Sequence, residues 1–227
     1  MNFTKVLVDA TPLLMEGLKM TVTISLLSIA IGMVIGLIMC LFGMAKNIVL
    51  RGISAVYIWL IRGTPMIVQA FIVFFGVPQV VNMFTSGFTF SPYTAGLITL
   101  SLNAGAYLAE IFRGGITAVP RGQREAARSL GLSSTKTFLR VVLPQAIKIA
   151  IPSMVNQFII TIKDTSILSV IGLGELMNRG KVYVGSNYLF FETYVIVAVY
   201  YLVIISILMI VSKYVEKKFN YEGKSQS

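Results

Sequence analysis

The sequence predicts an all-α polytopic membrane protein with five transmembrane helices, the N-terminus outside and the C-terminus cytosolic. Three observations carry that reading. The 227 residues are 56% hydrophobic and 12% charged, whereas soluble domains carry about 25% charged residues. Long stretches have no charge at all, and a span needs about 20 predominantly apolar residues. Lysines and arginines gather on one side of the resulting topology, as they do in cytosolic loops.

The spans follow in order. The first, about 20–45, is uncharged throughout. Residues 1–16 carry Asp9 and Glu16 and read as an extracytoplasmic segment ahead of it. They do not read as a cleaved signal peptide, because a basic start, a short apolar core and a small-residue cleavage site are missing. The chain is also uncharged from Gly63 to Ala109, but Gly76-Val77-Pro78 and Ser91-Pro92 divide that stretch. It gives a second span at about 65–81 and a third at about 92–112.

Arg62-Gly63-Thr64-Pro65 predicts a helix start, with Thr64 as the cap and Pro65 in the first turn, where no N–H is required. Residues 53–61, with Tyr57 and Trp59, then form a short helix in the cytosolic interface, a depth that aromatic rings favour. The fourth span, about 149–173, is apolar except for Lys163 and Asp164. The fifth is about 193–212. The membrane domain covers 17–213, and 214–227 is a cytosolic tail.

Orientation rests on the cations. Lys46, Arg51, the seven in the 113–148 loop, and Lys213, Lys217, Lys218 and Lys224 fall on one side. Lys5, Lys19, Arg179 and Lys181 fall on the other. The richer side is cytosolic. Arg179 and Lys181 are expected in a solvated external loop.

Ser25, Ser28, Gly32 and Gly36 share a face of the first span, as do Gly105 and Ala109 in the third. Such faces let helices approach closely.

Absences narrow the chemistry. With no histidine, Ser-His-Asp catalysis, HExxH zinc sites and histidine proton relays are excluded. Cys40 is the single cysteine, so no intramolecular disulfide forms. There is no GxxxxGK[ST] phosphate loop and no GxGxxG. The sequence therefore gives no catalytic residue, no cofactor site and no metal site. The net charge of +10 flanks apolar spans instead of covering a polar surface, so no nucleic-acid partner is expected.

The 113–148 loop is long for a connection. Pro120 starts a short helix and Gly131 suits its end. Ser133 or Ser134 caps a second helix running to about Leu143. The result is a helix–turn–helix elbow with a small, exposed Ala126-Ala127 patch, suited to docking another protein.

Glu125-Ala126-Ala127, then Gly131, then Val141-Val142-Leu143-Pro144 resembles the EAA coupling motif of the transmembrane subunits of bacterial ABC importers. Tyr57…Arg62-Gly63-Thr64-Pro65, residues 101–115 and Lys163-Asp164-Thr165-Ser166 narrow the likeness. They resemble the polar amino acid permeases, a family that includes histidine, arginine, glutamine and cystine importers.

The resemblance implies a type I ABC permease domain over 17–213, with 113–148 as its EAA coupling loop, in the bacterial cytoplasmic (inner) membrane. It implies a non-catalytic permease subunit working by alternating access. The implied partners are a second permease subunit, identical or paralogous, two cytosolic ABC ATPases that bind ATP and Mg, and an extracytoplasmic amino acid-binding protein. The implied substrate is a polar amino acid. Glu125, Ala126, Ala127, Gly131 and Pro144 would couple to the ATPase.

Charged groups within spans are costly and face a bundle interior or a water-filled path. Glu110, Lys163 and Asp164 qualify. Thr99, Asn103, Tyr107 and Glu110 form one helical stripe, and Ser153, Gln157, Thr161 and Asp164 form another. Two such stripes on adjacent spans could line one cavity. The candidate pathway residues are Asp164, Glu110, Asn103, Gln157 and Thr161, with Gln69 one turn into the second span.

Structural alternatives stand beside each of these. Lys163 and Asp164 could pair across a subunit interface or cap a broken helix. Glu110 could pair with Arg113, and Asn103 and Gln157 could be interhelical hydrogen-bond partners. The functional alternative is a stand-alone ion-coupled secondary amino acid transporter. That would call for relays and inverted repeats, which are not evident. An intramembrane enzyme would need a nucleophile and base that the spans do not supply.

Overall fold

The computed structural model describes residues 3–220. Residues 221–227 of the predicted tail, Lys224 among them, and the side chain of Lys218 lie outside what is described. The described residues form eight helices and no strand. They are α1 (Phe3–Gly43), α2 (Ile48–Gly63), α3 (Met66–Val81), α4 (Pro92–Ala118), α5 (Arg121–Ser129), α6 (Ser134–Ile171), α7 (Leu176–Asn187) and α8 (Phe190–Asn220). Four of them, α1, α4, α6 and α8, are long and apolar enough to cross a membrane; α2 and α3 together form a bent fifth candidate.

α1 and α4 form the central pair. Ser25, Ser28, Gly32 and Gly36 are all buried, as their spacing predicts. A Cβ on Gly36 would lie 2.8 Å from Leu108 Cβ and 3.0 Å from the Ala109 nitrogen. A Cβ on Gly105 would lie 2.8 Å from the Tyr57 hydroxyl. Only glycine lets these backbones meet so closely.

α1 starts well before the predicted span. At about 1.5 Å per residue, 41 residues make a rod of about 60 Å, roughly twice the hydrocarbon thickness. Asp9 and Glu16 both sit on the exposed side of this helix. Val6, Ala10 and Leu14, four residues apart, are fully buried against Leu176, Tyr183, Ile196 and Val197 of α7 and α8.

The predicted break at Arg62–Pro65 is a bend of 106° between α2 and α3. Its chemistry differs from the expectation. Pro65, not Thr64, takes the cap position and makes no side-chain cap. The Thr64 hydroxyl donates back to the Leu60 carbonyl at 2.8 Å. The Gln69 amide closes the bend, donating to the Ile61 carbonyl at 2.7 Å and the Thr64 hydroxyl at 2.9 Å. Tyr57 turns inward, its hydroxyl donating to the Leu102 carbonyl at 2.6 Å, whereas Trp59 is exposed.

The second helix expected in the 113–148 loop is not separate. α6 begins at Ser134 and continues through Pro144 into the fourth span. The Ser133 side chain caps it. A proline inside an α-helix leaves the carbonyl four residues earlier without a donor. Here the five residues Phe138–Val142 form a wider π turn, and Pro144 falls in the first turn of the α-helical segment that follows. Such turns absorb an irregularity without ending the helix.

The connection after Gly174 is also a helix, α7, and not a loop. Arg179 lies within it and pairs with Glu16 at 3.3 Å.

Candidate functional site

The α4 stripe divides by depth. Thr99 and Asn103 are buried. The Thr99 hydroxyl donates to the Ala95 carbonyl at 2.8 Å within the helix. Asn103 Nδ2 reaches Gln69 Oε1 at 3.4 Å, tying α4 to the α2–α3 bend.

Tyr107 and Glu110 belong to an ionic group nearer the α5 end. Arg113 donates to Glu110 through Nε at 3.1 Å and Nη2 at 2.5 Å. Arg62, at the end of α2, lies 3.8 Å from the same carboxylate and 5.1 Å from the centre of the Tyr107 ring. Cations favour that position over an aromatic face. Glu110 therefore faces two arginines, and the i,i+3 pairing with Arg113 is present.

α6 packs beside α4. A Cβ on Gly115 would lie 2.7 Å from the Ala146 carbonyl oxygen. Along α6, Gln157 and Thr161 are buried, Ser153 is exposed and Asp164 is half-buried. The Thr161 hydroxyl donates to the Gln157 carbonyl at 2.9 Å, so it is engaged within its own helix. Asp164 ends the α-helical part of α6 and makes no side-chain cap to the 3-10 turn after it.

At the far end of the bundle, α5 follows Pro120 directly. Gly131 has φ +82°. The Leu132 N–H bonds to the Ala127 carbonyl at 3.2 Å and the Gly131 N–H to the Arg128 carbonyl at 3.0 Å. This pair of bonds is the Schellman ending, and its positive φ favours glycine. Glu125 and Ala126 are exposed. Ala127 is buried, so the exposed Ala-Ala patch reduces to Ala126. Pro144 is not on this helix but inside α6.

Comparison with known proteins decides the family. Residues 20–221 match the binding-protein-dependent transport system inner membrane component family. The chain belongs to that family. The glutamine transport system permease protein of Escherichia coli (strain K12) is 40% identical, over 92% of this chain and 94% of that protein. A probable amino-acid ABC transporter permease protein of Bacillus subtilis (strain 168) is 38% identical over 95% and 93%. The crystal structure of an amino acid ABC transporter with histidines contains a similar chain. It superposes with a TM-score of 0.88 at 36% identity, covering 93% of this chain and 96% of that one.

This binding-protein-dependent transport component also contains a buried carboxylate that sequence reasoning missed. Glu175 is fully buried. It caps α7, accepting from the Met177 and Asn178 N–H groups at 2.8 and 2.6 Å, and from the Tyr201 hydroxyl of α8 at 2.9 Å. The Leu176 N–H donates to Thr21 Oγ1 of α1 at 3.2 Å. Burial pushes the carboxyl above the usual glutamate range, and the two backbone N–H bonds and the Tyr201 hydroxyl oppose that shift. The available signal was positional. Glu175 directly follows Gly172-Leu173-Gly174 and precedes a run with helical spacing.

Proposed function

We propose that this chain is the membrane-spanning permease subunit of an ATP-driven importer that moves a polar amino acid inward by alternating access. The observation that carries the reading is the family match over 20–221, joined by relatives named for glutamine and amino-acid transport. The family match disfavours the secondary-transporter alternative, for which α5 has no purpose.

In this reading the N-terminus is outside, the C-terminus is cytosolic, and α2–α3 supplies the fifth span. The domain runs over 17–213 with an extracytoplasmic start and a cytosolic tail, in a bacterial inner membrane. The chain itself is not an enzyme and needs no cofactor. Two partner ATPases bind ATP and Mg, a second permease completes the pathway, and a binding protein delivers substrate outside.

α5 is the coupling helix. Glu125 and Ala126 contact the ATPase from its exposed side. Ala127 seats the helix on the bundle, and Gly131 fixes its ending. Pro144, behind the π turn, sets how α6 leaves the elbow. Asp164 is the pathway carboxylate, suited to an ammonium group, with Asn103, Gln157 and Thr161 on the neighbouring buried faces. Gln69 and Glu110 act through the bend and the arginine group rather than on substrate.

Mild-detergent affinity purification of the chain, followed by mass spectrometry, tests the class. A phosphate-loop ATPase is expected to come with it. A monodisperse chain purifying alone would overturn the reading. Gly131→Asp is expected to leave the chain in the membrane while uncoupling ATP hydrolysis from the binding protein. Asp164→Ala is expected to reduce uptake with the complex intact; normal uptake would remove Asp164 from the pathway.

A further inference from the structure

Between α5 and the start of α6 lies a cavity of about 370 Å³ lined by Arg124, Arg128, Ser134 and Thr137, with Ile116 and Phe138 among its apolar walls. Its polar groups are positioned but not satisfied. Arg124 Nη2 donates to the Ile116 carbonyl at 2.5 Å, while its Nε is buried with no partner among the described residues. Arg128 Nη1 donates to the Ser134 hydroxyl at 2.7 Å. Thr137 is 4% exposed and its hydroxyl is also without a partner among the described residues. Among the described residues, no carboxylate lines the cavity. Two fixed cations and a buried, unpaired hydroxyl suit a phosphate oxyanion, since such groups are left unbonded only at a cost.

A second feature selects the source of that phosphate. Ile116 and Phe138 also line an apolar groove of about 520 Å³, which runs along α1, α4 and α6 past Leu41, Ile147, Ala150 and Met154. A charged pocket that shares Ile116 and Phe138 with a neighbouring apolar groove matches the pairing of a headgroup with an acyl chain. A free phosphate would leave the groove unused. Basic pockets between helices at a membrane surface bind anionic headgroups in this manner.

We propose that this chain carries a binding site for an anionic phospholipid, its phosphate held by Arg124, Arg128 and Thr137 and one acyl chain laid in the α1–α4–α6 groove. The site goes beyond the transport reading and requires only that the chain sits in a membrane.

The test is native mass spectrometry of the complete, delipidated complex, titrated with phosphatidylglycerol, with phosphatidylcholine of matched chains, and with inorganic phosphate. Phosphatidylglycerol is expected to bind several-fold more tightly than phosphatidylcholine. Arg128→Gln, at an exposed position, is expected to weaken phosphatidylglycerol about fivefold, the worth of one basic group near an anionic lipid. It should weaken phosphatidylcholine less, because choline already offsets the charge of its phosphate. Ile147→Trp, at a half-exposed groove position, is expected to weaken phosphatidylglycerol with the arginines intact.

Equal affinity for the two lipids, an Arg128→Gln variant that binds as the parent does, or phosphate displacing the lipid at equal concentration would overturn the site. So would lipid binding to the isolated chain but not to the complex, which would show that a partner protein covers the cavity. ATP hydrolysis measured on the same sample separates failure of the lipid site from failure of the transport reading.

Discussion

α4 and α6 have nearly the same mean hydropathy over their most apolar stretches, 1.3 and 1.5, yet 61% of that stretch is buried in α4 and 17% in α6. α8, at 2.8, is 11% buried. α8 is simple to explain, because a greasy helix can face lipid. α4 is simple as well, because its small and polar residues are enclosed by α1, α3 and α6. α6 is as polar as α4 but is left open. Its exposed Ser153, Asn156 and Lys163 fall on one helical face. Polar groups at membrane depth face protein or a water-lined path. A low-hydropathy span needs cover, and the described residues leave most of α6 without it. The second permease and the pathway of the proposed importer are where that cover would come from.

The sharpest way to break the comparison is Gly36→Leu in the α1–α4 contact. The first added carbon already meets Leu108 and Ala109. About 3 kcal/mol of destabilisation is expected, at the upper end for overpacking. Unfolding in mixed micelles would measure it, and an unchanged midpoint would show that the contact yields.

Next in size is Glu175→Ala, expected to cost about 2 kcal/mol through loss of the α7 cap and the Tyr201 bond. The pH dependence of this site has a definite sign. A carboxyl whose folded pKa is raised binds its proton more readily in the native state. Stability therefore falls as pH rises from the ordinary glutamate pKa through the folded one. Thermal melts across that range should show this slope in the parent and lose it in Glu175→Gln.

Arg113→Gln removes one partner of an exposed ion pair, and less than about 1 kcal/mol is expected. The same unfolding assay would detect anything larger. Asn156→Leu on the open face of α6 should leave the folding of the chain within about 0.5 kcal/mol of the parent. It should instead alter recovery of the second permease in pull-downs. A folding defect with unchanged recovery would mean that this face is covered from within the chain.

Much of the fold was legible because single residue types dictate it. Uncharged length marked the long helices, Gly32 and Gly36 marked the α1–α4 contact, Pro65 marked the bend, and Pro120 with Gly131 bounded α5. The misreadings share a cause. The early start of α1 went unread because Val6, Ala10 and Leu14 line up on one face only in helical phase, between charged residues. The second loop helix was expected to end near Leu143 because the wide turn that carries it on cannot be read from local preference.

The candidate site was legible only as residue types. That Asn103 reaches Gln69, and that Arg62 shares Glu110 with Arg113, depends on packing between helices distant in sequence. So does the convergence of α1, α7 and α8 on Glu175. Ala127 shows the limit within one motif, since only its placement against the bundle tells it apart from exposed Ala126.

The π turn at Phe138–Val142 has a geometric consequence further along α6. An α-helix advances about 100° per residue, so one extra residue accommodated in a wide turn rotates everything downstream by that angle relative to the elbow. The turn thus works as a phase setting between α5 and the face bearing Ser153, Asn156 and Lys163. Removing a single residue from it would keep the helix continuous, yet swing that face about a quarter of a revolution away from where it now points.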